Sequence, residues 1–129
     1  TLLRESDFVS IHLPLTEETH HLIDYDKICL MKRDGIIVNT ARGAVIKEKD
    51  LVRALKERKI FGAGLDVYEN EPEVSEELKS LDNVVLLPHI GSATLETRTE
   101  MAVLAAENLI KALKGERPRY CVNPEVFKD

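Results

Sequence analysis

Arg42, Glu71 and His89 are the side chains whose types and settings suit proton chemistry on a small anion. Arg42 lies in Thr40-Ala41-Arg42-Gly43, and its guanidinium is a planar fork of donors that pairs bidentately with a carboxylate. Its neighbours Ala41 and Gly43 are small enough to let a ligand approach the backbone. His89, in Pro88-His89-Ile90-Gly91-Ser92, changes charge near neutral pH and so suits a general acid–base. Glu71 could hold that imidazole in one tautomer and favour its protonated form. An anion anchor, a proton carrier and an orienting carboxylate together fit reduction of a 2-keto acid: one group holds the carboxylate, another protonates the developing alkoxide. Asp66 belongs with them, because a carboxylate inside an apolar run is costly to bury without a partner. Each residue also has a plainer reading. Arg42 could be a surface ion-pair partner, His89 could cap a helix or satisfy a loop, and Glu71-Pro72 could be a solvated turn in the acidic stretch from Glu69 to Glu77.

The elements that must position these groups are legible as four short apolar runs: Phe8 to Leu13, Ile36 to Thr40, Gly62 to Val67 and Val84 to Leu87. They lack clean alternation, the pattern of strands buried on both faces of a parallel sheet. Helical segments separate them. Thr16 is placed to cap a short helix, and Asp24 the next, which should end near Asp34-Gly35. Leu51, Val52, Ala54 and Leu55 share one apolar face between Glu48 and Lys59. The longest helix should run from about Thr94 to Lys114, with Met101, Leu104, Ala105, Leu109, Ala112 and Leu113 as its stripe and Gly115 as its stop. Alternating strands and helices predict an α/β fold: a partial Rossmann-type open sheet of about four parallel strands. In such sheets ligands bind beyond the carboxyl ends of the strands. Arg42, Asp66, Glu71 and His89 all follow or end a predicted strand, so one edge should gather them.

The wording of these stretches is specific. Asp7-Phe8-Val9-Ser10-Ile11-His12-Leu13-Pro14-Leu15-Thr16, Val38-Asn39-Thr40-Ala41-Arg42-Gly43, Gly62-Ala63-Gly64-Leu65-Asp66-Val67-Tyr68 with Glu71-Pro72, and Pro88-His89-Ile90-Gly91-Ser92-Ala93-Thr94 occur in that order. Together they resemble the D-isomer-specific 2-hydroxyacid dehydrogenases. Gly91 to Thr94, followed by Glu96-Thr97-Arg98, is most similar to the glyoxylate/hydroxypyruvate reductase branch. The resemblance implies an oxidoreductase that moves a hydride between NAD or NADP and a small 2-keto or D-2-hydroxy acid. It implies Arg42 as the substrate-carboxylate anchor, His89 as the acid–base and Glu71 as its orienting partner. Thr40, Ala41, Arg42, Asp66, His89 and Gly91 would border the nicotinamide and its ribose. Leu13 and Pro14 would lie along the adenosine side.

One departure is large. The family's phosphate-binding glycine loop is not among the six glycines, Gly35, Gly43, Gly62, Gly64, Gly91 and Gly115. Gly62-x-Gly64 is followed by Val67 and opens a predicted strand, whereas the fingerprint follows one. Residues 1–115 therefore read as the C-terminal half of an NAD(P)-binding domain, and 116–129 as an extended tail. The expectation is weak cofactor binding and an inactive isolated chain, since pyrophosphate affinity comes from a helix N-terminus and backbone amides outside these residues. Phe8 to Leu13 should form a sheet edge, which predicts a homo-oligomer. A non-catalytic oligomeric interaction module, or a truncated relic, is the alternative. A smaller departure is Lys47, where the family usually places an acidic helix cap.

Composition narrows the partners. The net charge of −5, with both signs interspersed, argues against nucleic acid, which needs a basic face. No apolar run approaches the roughly 18 residues of a membrane span, and the first residues lack a basic and then apolar leader pattern. Cys29 and Cys121 are far apart with no pairing pattern and read as reduced thiols of a cytoplasmic protein. The adjacent His20-His21 reads as surface, and no metal site is expected.

Overall fold

A computed structural model describes residues 1–127, which divide into two compact units, Thr1 to Gly91 and a second from Ser92 onward. In the first unit the elements follow as α1 (Leu2–Glu5), β1 (Phe8–Ile11), α2 (Tyr25–Ile28), β2 (Ile36–Asn39), a 3-10 turn (Gly43–Val45), α3 (Glu48–Lys56), β3 (Gly62–Leu65), α4 (Glu76–Lys79) and β4 (Val84–Leu86). The four strands form one parallel sheet in the order β1-β2-β3-β4. Each predicted run thus contains a strand, and the expected Rossmann-type α/β architecture is present.

The core lies on one face of that sheet. Val9 and Ile11 of β1, Ile37 of β2 and Ala63 and Leu65 of β3 pack with Ile28, Leu51, Leu55 and Leu78 from the helices. Each large apolar side chain among them contributes about 1.5–3 kcal/mol by leaving water. The α3 face is the one its sequence predicts: Leu51, Val52, Ala54 and Leu55 are all buried. Burial on both sheet faces, however, is not what these strands show. β1 and β2 alternate, with Phe8 69% and Val85 of β4 64% exposed. The physical reason is that α2, α3 and α4 bring their buried residues to a single cluster.

Two helical expectations are corrected. Thr16 opens one turn, not a helix: His20 N–H donates to Thr16 O at 2.9 Å, but the next amide, His21 N–H, leaves for Ala44 O at 2.7 Å, so the ladder cannot propagate. Asp24 does cap α2, its carboxylate accepting Lys27 N–H at 2.9 Å, but the helix stops at Ile28. The chain tightens there into i→i+3 bonds, Leu30 to Lys27 and Met31 to Ile28, which bury Met31. α4 begins at the end of the acidic stretch from Glu69 to Glu77, where no helix was expected; Ser75 caps it and Leu78 anchors it, fully buried.

Lys47 makes no side-chain cap on α3. A distant residue serves the helix end instead: Glu69 Oε2 accepts Glu48 N–H at 2.9 Å, and Glu48 Oε2 accepts Glu69 N–H at 3.1 Å. A carboxylate at a helix N-terminus satisfies an orphan amide and the dipole together.

In the second unit, α5 runs Leu95–Leu113, capped by Thr94 Oγ1 on Thr97 N–H at 3.2 Å and closed by Gly115 at φ +75°. Its bounds match expectation. None of its residues is buried, and Leu109 and Leu113 are 60% and 79% exposed. The tail is not wholly extended; Pro124–Val126 forms a 3-10 turn. Among the described residues no helix is long and apolar enough to cross a membrane.

Candidate active site

Register brings the strand ends together. Asn39 pairs with Leu65, and Leu65 with Leu86, so the loops after β2, β3 and β4 leave the sheet at the same edge. These loops carry Arg42, Asp66 to Glu71, and Leu87 to Gly91.

Asn39, 1% exposed, shapes the first loop. Its Oδ1 accepts Ala41 N–H at 3.1 Å and its Nδ2 donates to Arg42 O at 2.9 Å, closing the turn that lifts Arg42 into solvent. Arg42 Nη1 donates to Ala41 O at 2.7 Å, which engages only part of a fork with five N–H donors. Thr40 is exposed beside it. Gly43 is there for a different reason from the expected ligand approach. A Cβ on it would stand 1.9 Å from Tyr68 C and 2.0 Å from Tyr68 O, so the Arg42 loop is keyed against the backbone of the Glu71 loop.

Glu71 and His89 meet across that edge. Glu71 Oε2 lies 2.7 Å from His89 Nδ1, and Glu71 Oε1 accepts Tyr68 N–H at 2.9 Å. Burial alone would raise the Glu71 carboxyl; the His89 bond, the Tyr68 amide and the charges of His89 and Arg42 outweigh it and hold the group below the ordinary carboxylate range. An ionised carboxylate only accepts, so the Nδ1 of His89 donates and Nε2 is left to act. Glu71, His89 and Tyr68 line a cleft of about 380 Å³.

His89 adopts φ +55°, a left-handed backbone that costs of order 1–3 kcal/mol outside glycine. Asp66 holds it there. Its carboxylate, 3% exposed, accepts Ile90 N–H and Gly91 N–H, each at 2.8 Å. The buried charge that stood out in the sequence therefore has its partners, and they are backbone amides of the His89 loop. Leu13 and Pro14 follow β1 and are exposed; Pro14 O accepts the Thr19 hydroxyl at 2.7 Å.

A second histidine–carboxylate pair corrects the surface reading of His21. His21 Nε2 lies 2.8 Å from Glu69 Oε1, with both side chains largely shielded. Burial works against the Glu69 charge, but the Glu48 amide and His21 prevail and lower its pKa. Sequence reasoning gave Asn39, Tyr68 and Glu69 no role. A buried amide at a strand end is the one signal that could have found Asn39.

Residues 1–91 match the D-isomer specific 2-hydroxyacid dehydrogenase, NAD binding domain, and the chain belongs to that family. It is 57% identical over 127 residues to a glyoxylate reductase of Thermococcus litoralis, and 55% identical over 129 residues to a glyoxylate/hydroxypyruvate reductase B of Enterobacter agglomerans. These matches cover 98% and 99% of this chain but 38% and 40% of the relatives, so the chain spans well under half their length. Among solved structures, an NADPH-dependent glyoxylate/hydroxypyruvate reductase from Sinorhizobium meliloti, in complex with NADP and malonate, superposes at TM-score 0.91 with 35% identity, over 99% of this chain and 40% of that one. A glyoxylate reductase from Paecilomyes thermophila superposes at 0.83 with 50% identity, over 90% and 36%.

The NAD-binding family implies a nicotinamide dinucleotide, and the strand-end loops are where one end of it would lie. Small or polar groups, Thr40, Ala41 and Gly91, stand at the strand ends, and a Cβ on Gly91 would come within 3.0 Å of Asp66 Oδ2. The pyrophosphate end has no such cradle among the described residues. Gly62 and Gly64 lie inside β3, paired with Ile36 and Val38 of β2, where their backbone is committed to the sheet.

Proposed function

We propose that this chain supplies the substrate-anchoring and proton-transfer groups for reduction of a small 2-keto acid, glyoxylate or hydroxypyruvate, by NADH or NADPH. Residues 1–115 would form the C-terminal half of the NAD(P)-binding domain. The observation that carries the reading is the 2.7 Å pair of His89 Nδ1 and Glu71 Oε2 at the edge that also presents Arg42. The branch of its relatives supports the choice of substrate.

The bound nicotinamide would supply the hydride. Arg42 pairs through its free N–H groups with the substrate carboxylate and fixes which carbonyl face is presented. His89 gives a proton from Nε2 to the carbonyl oxygen as negative charge grows there, worth about 10²–10⁴-fold in rate. Glu71 keeps that proton on the correct nitrogen and stabilises the charged imidazole. Thr40, Ala41, Asp66 and Gly91 border the nicotinamide ribose, with Leu13 and Pro14 toward the adenosine. Affinity for the dinucleotide rests mainly on a pyrophosphate cradle that these residues do not form, so the isolated chain binds it weakly and turns over poorly. Oxidation of NADH or NADPH on addition of glyoxylate or hydroxypyruvate tests the reading; turnover that survives loss of His89 would end it.

Self-association accompanies this reading. Phe8 on the edge strand and the apolar residues of α5 favour it, Leu95 being 80% exposed. Light scattering should find a homo-oligomer, and a monomer at every concentration would refute that. A cytoplasmic location suits the two unpaired thiols, Cys29 and Cys121.

A further inference from the structure

We infer that Tyr68 is a positioning residue for the His89 acid–base group: its hydroxyl fixes the strand end that leads into the imidazole, while its amide fixes the carboxylate that the imidazole pairs with. The inference rests on the reading of His89 just given and assigns a role to a residue outside the Arg42, Glu71 and His89 set.

Tyr68 is 7% exposed. Its hydroxyl donates to Leu87 O at 2.7 Å, with Leu65 O more distant at 3.3 Å, and its N–H donates to Glu71 Oε1 at 2.9 Å. Leu87 N–H in turn donates to Leu65 O at 2.8 Å. The peptide at Leu87 is therefore held on both sides, by β3 and by Tyr68, two residues before His89. After His89 the chain is held again by Asp66 on Ile90 and Gly91. Between those two clamps His89 itself has little packing, with a side chain 51% exposed. Its aim therefore follows from where the backbone is fixed.

The hydroxyl is suited to this task. Burial, helped by the charge of Asp66, pushes the phenol above its ordinary range, so it keeps its proton and remains a donor. Phenylalanine would keep the ring and the Glu71-bound amide and would remove the hydroxyl's ties, the short one to Leu87 O and the longer one to Leu65 O. The expected consequence is a His89 ring that wanders from Glu71, not a collapsed loop.

Ring 15N spectra of histidine in the full chain test this, recorded at pH about 9, above the ordinary imidazole value near 6.5. The wild type should show His89 as a single tautomer with the proton on Nδ1. Tyr68→Phe should convert it to a mixture, with the Nε2–H form rising several-fold, whether or not thermal stability changes. A Tyr68→Phe spectrum identical to wild type would overturn the inference. Glu71→Ala separates the role of Tyr68 from that of the pair itself. If it scrambles the tautomer while Tyr68→Phe does not, the role of Tyr68 fails and the functional reading stands; if it also leaves the tautomer unchanged, the pair does not govern His89 and the functional reading fails. A further check needs no variant. The Tyr68 hydroxyl proton should exchange slowly with solvent and show contact with Leu87; rapid exchange would equally refute the tie.

Discussion

Asp66 Oδ2 accepts the Gly91 amide at 2.8 Å, and a Cβ on Gly91 would stand 3.0 Å from that same oxygen. The carboxylate at the end of β3 and the glycine after β4 are thus fitted to each other, and His89 is carried in the turn they close.

Asp66→Asn puts an amide N–H₂ where one of two backbone donors now finds an acceptor. A buried donor left unsatisfied costs about 1–3 kcal/mol. Urea unfolding should show a loss in that range, and the Ile90 and Gly91 amides should exchange faster while those of β1 do not. An unchanged midpoint would mean that the clamp is not made in solution.

Gly43→Ala forces a Cβ into the backbone of Tyr68, 1.9 Å from its carbonyl carbon. Backbone cannot yield as a side-chain end does, so the loss should reach or exceed the roughly 1–3 kcal/mol usual for overpacking. Thermal unfolding measures it, and a variant as stable as wild type would show that the two loops are not interlocked.

Glu71 predicts a pH dependence with a definite sign. Burial opposes its charge, yet His89, the Tyr68 amide and Arg42 hold its folded pKa below the ordinary value. A depressed acid stabilises the fold at pH above its unfolded value, about 4.3 for Glu, and that contribution is lost as pH falls through the folded value. The stability difference between wild type and Glu71→Gln should shrink as the pH is taken from above that unfolded value down through the folded one. Denaturant titrations at stepped pH would contradict this if the gap widened as acid was added.

Much of this arrangement was legible in the residues, and the remainder was not for physical reasons. Four apolar runs announced four strands, and a parallel sheet then dictated that Arg42, Asp66 and His89 share an edge. Thr94 and Gly115 marked the ends of α5 because caps are local chemistry. What stayed hidden depends on long-range partners. Thr16 looks like a helix cap until Ala44 O takes the His21 amide. Gly43 looks like room for a ligand until Tyr68 occupies it. Lys47 looks like a lost cap until Glu69 supplies one from 21 residues beyond Glu48.

Steady-state kinetics with glyoxylate bear most directly on the claim that a guanidinium and an imidazole meet at one rim to reduce a keto acid. Arg42→Met and His89→Asn should be compared with the parent under the same conditions. His89→Asn should lower kcat by about 10²–10⁴-fold. Arg42→Met should lower kcat/KM by roughly 10–150-fold, the equivalent of a charge-assisted hydrogen bond of about 1.5–3 kcal/mol. Either variant turning over glyoxylate with the parent's kcat and KM would contradict the claim.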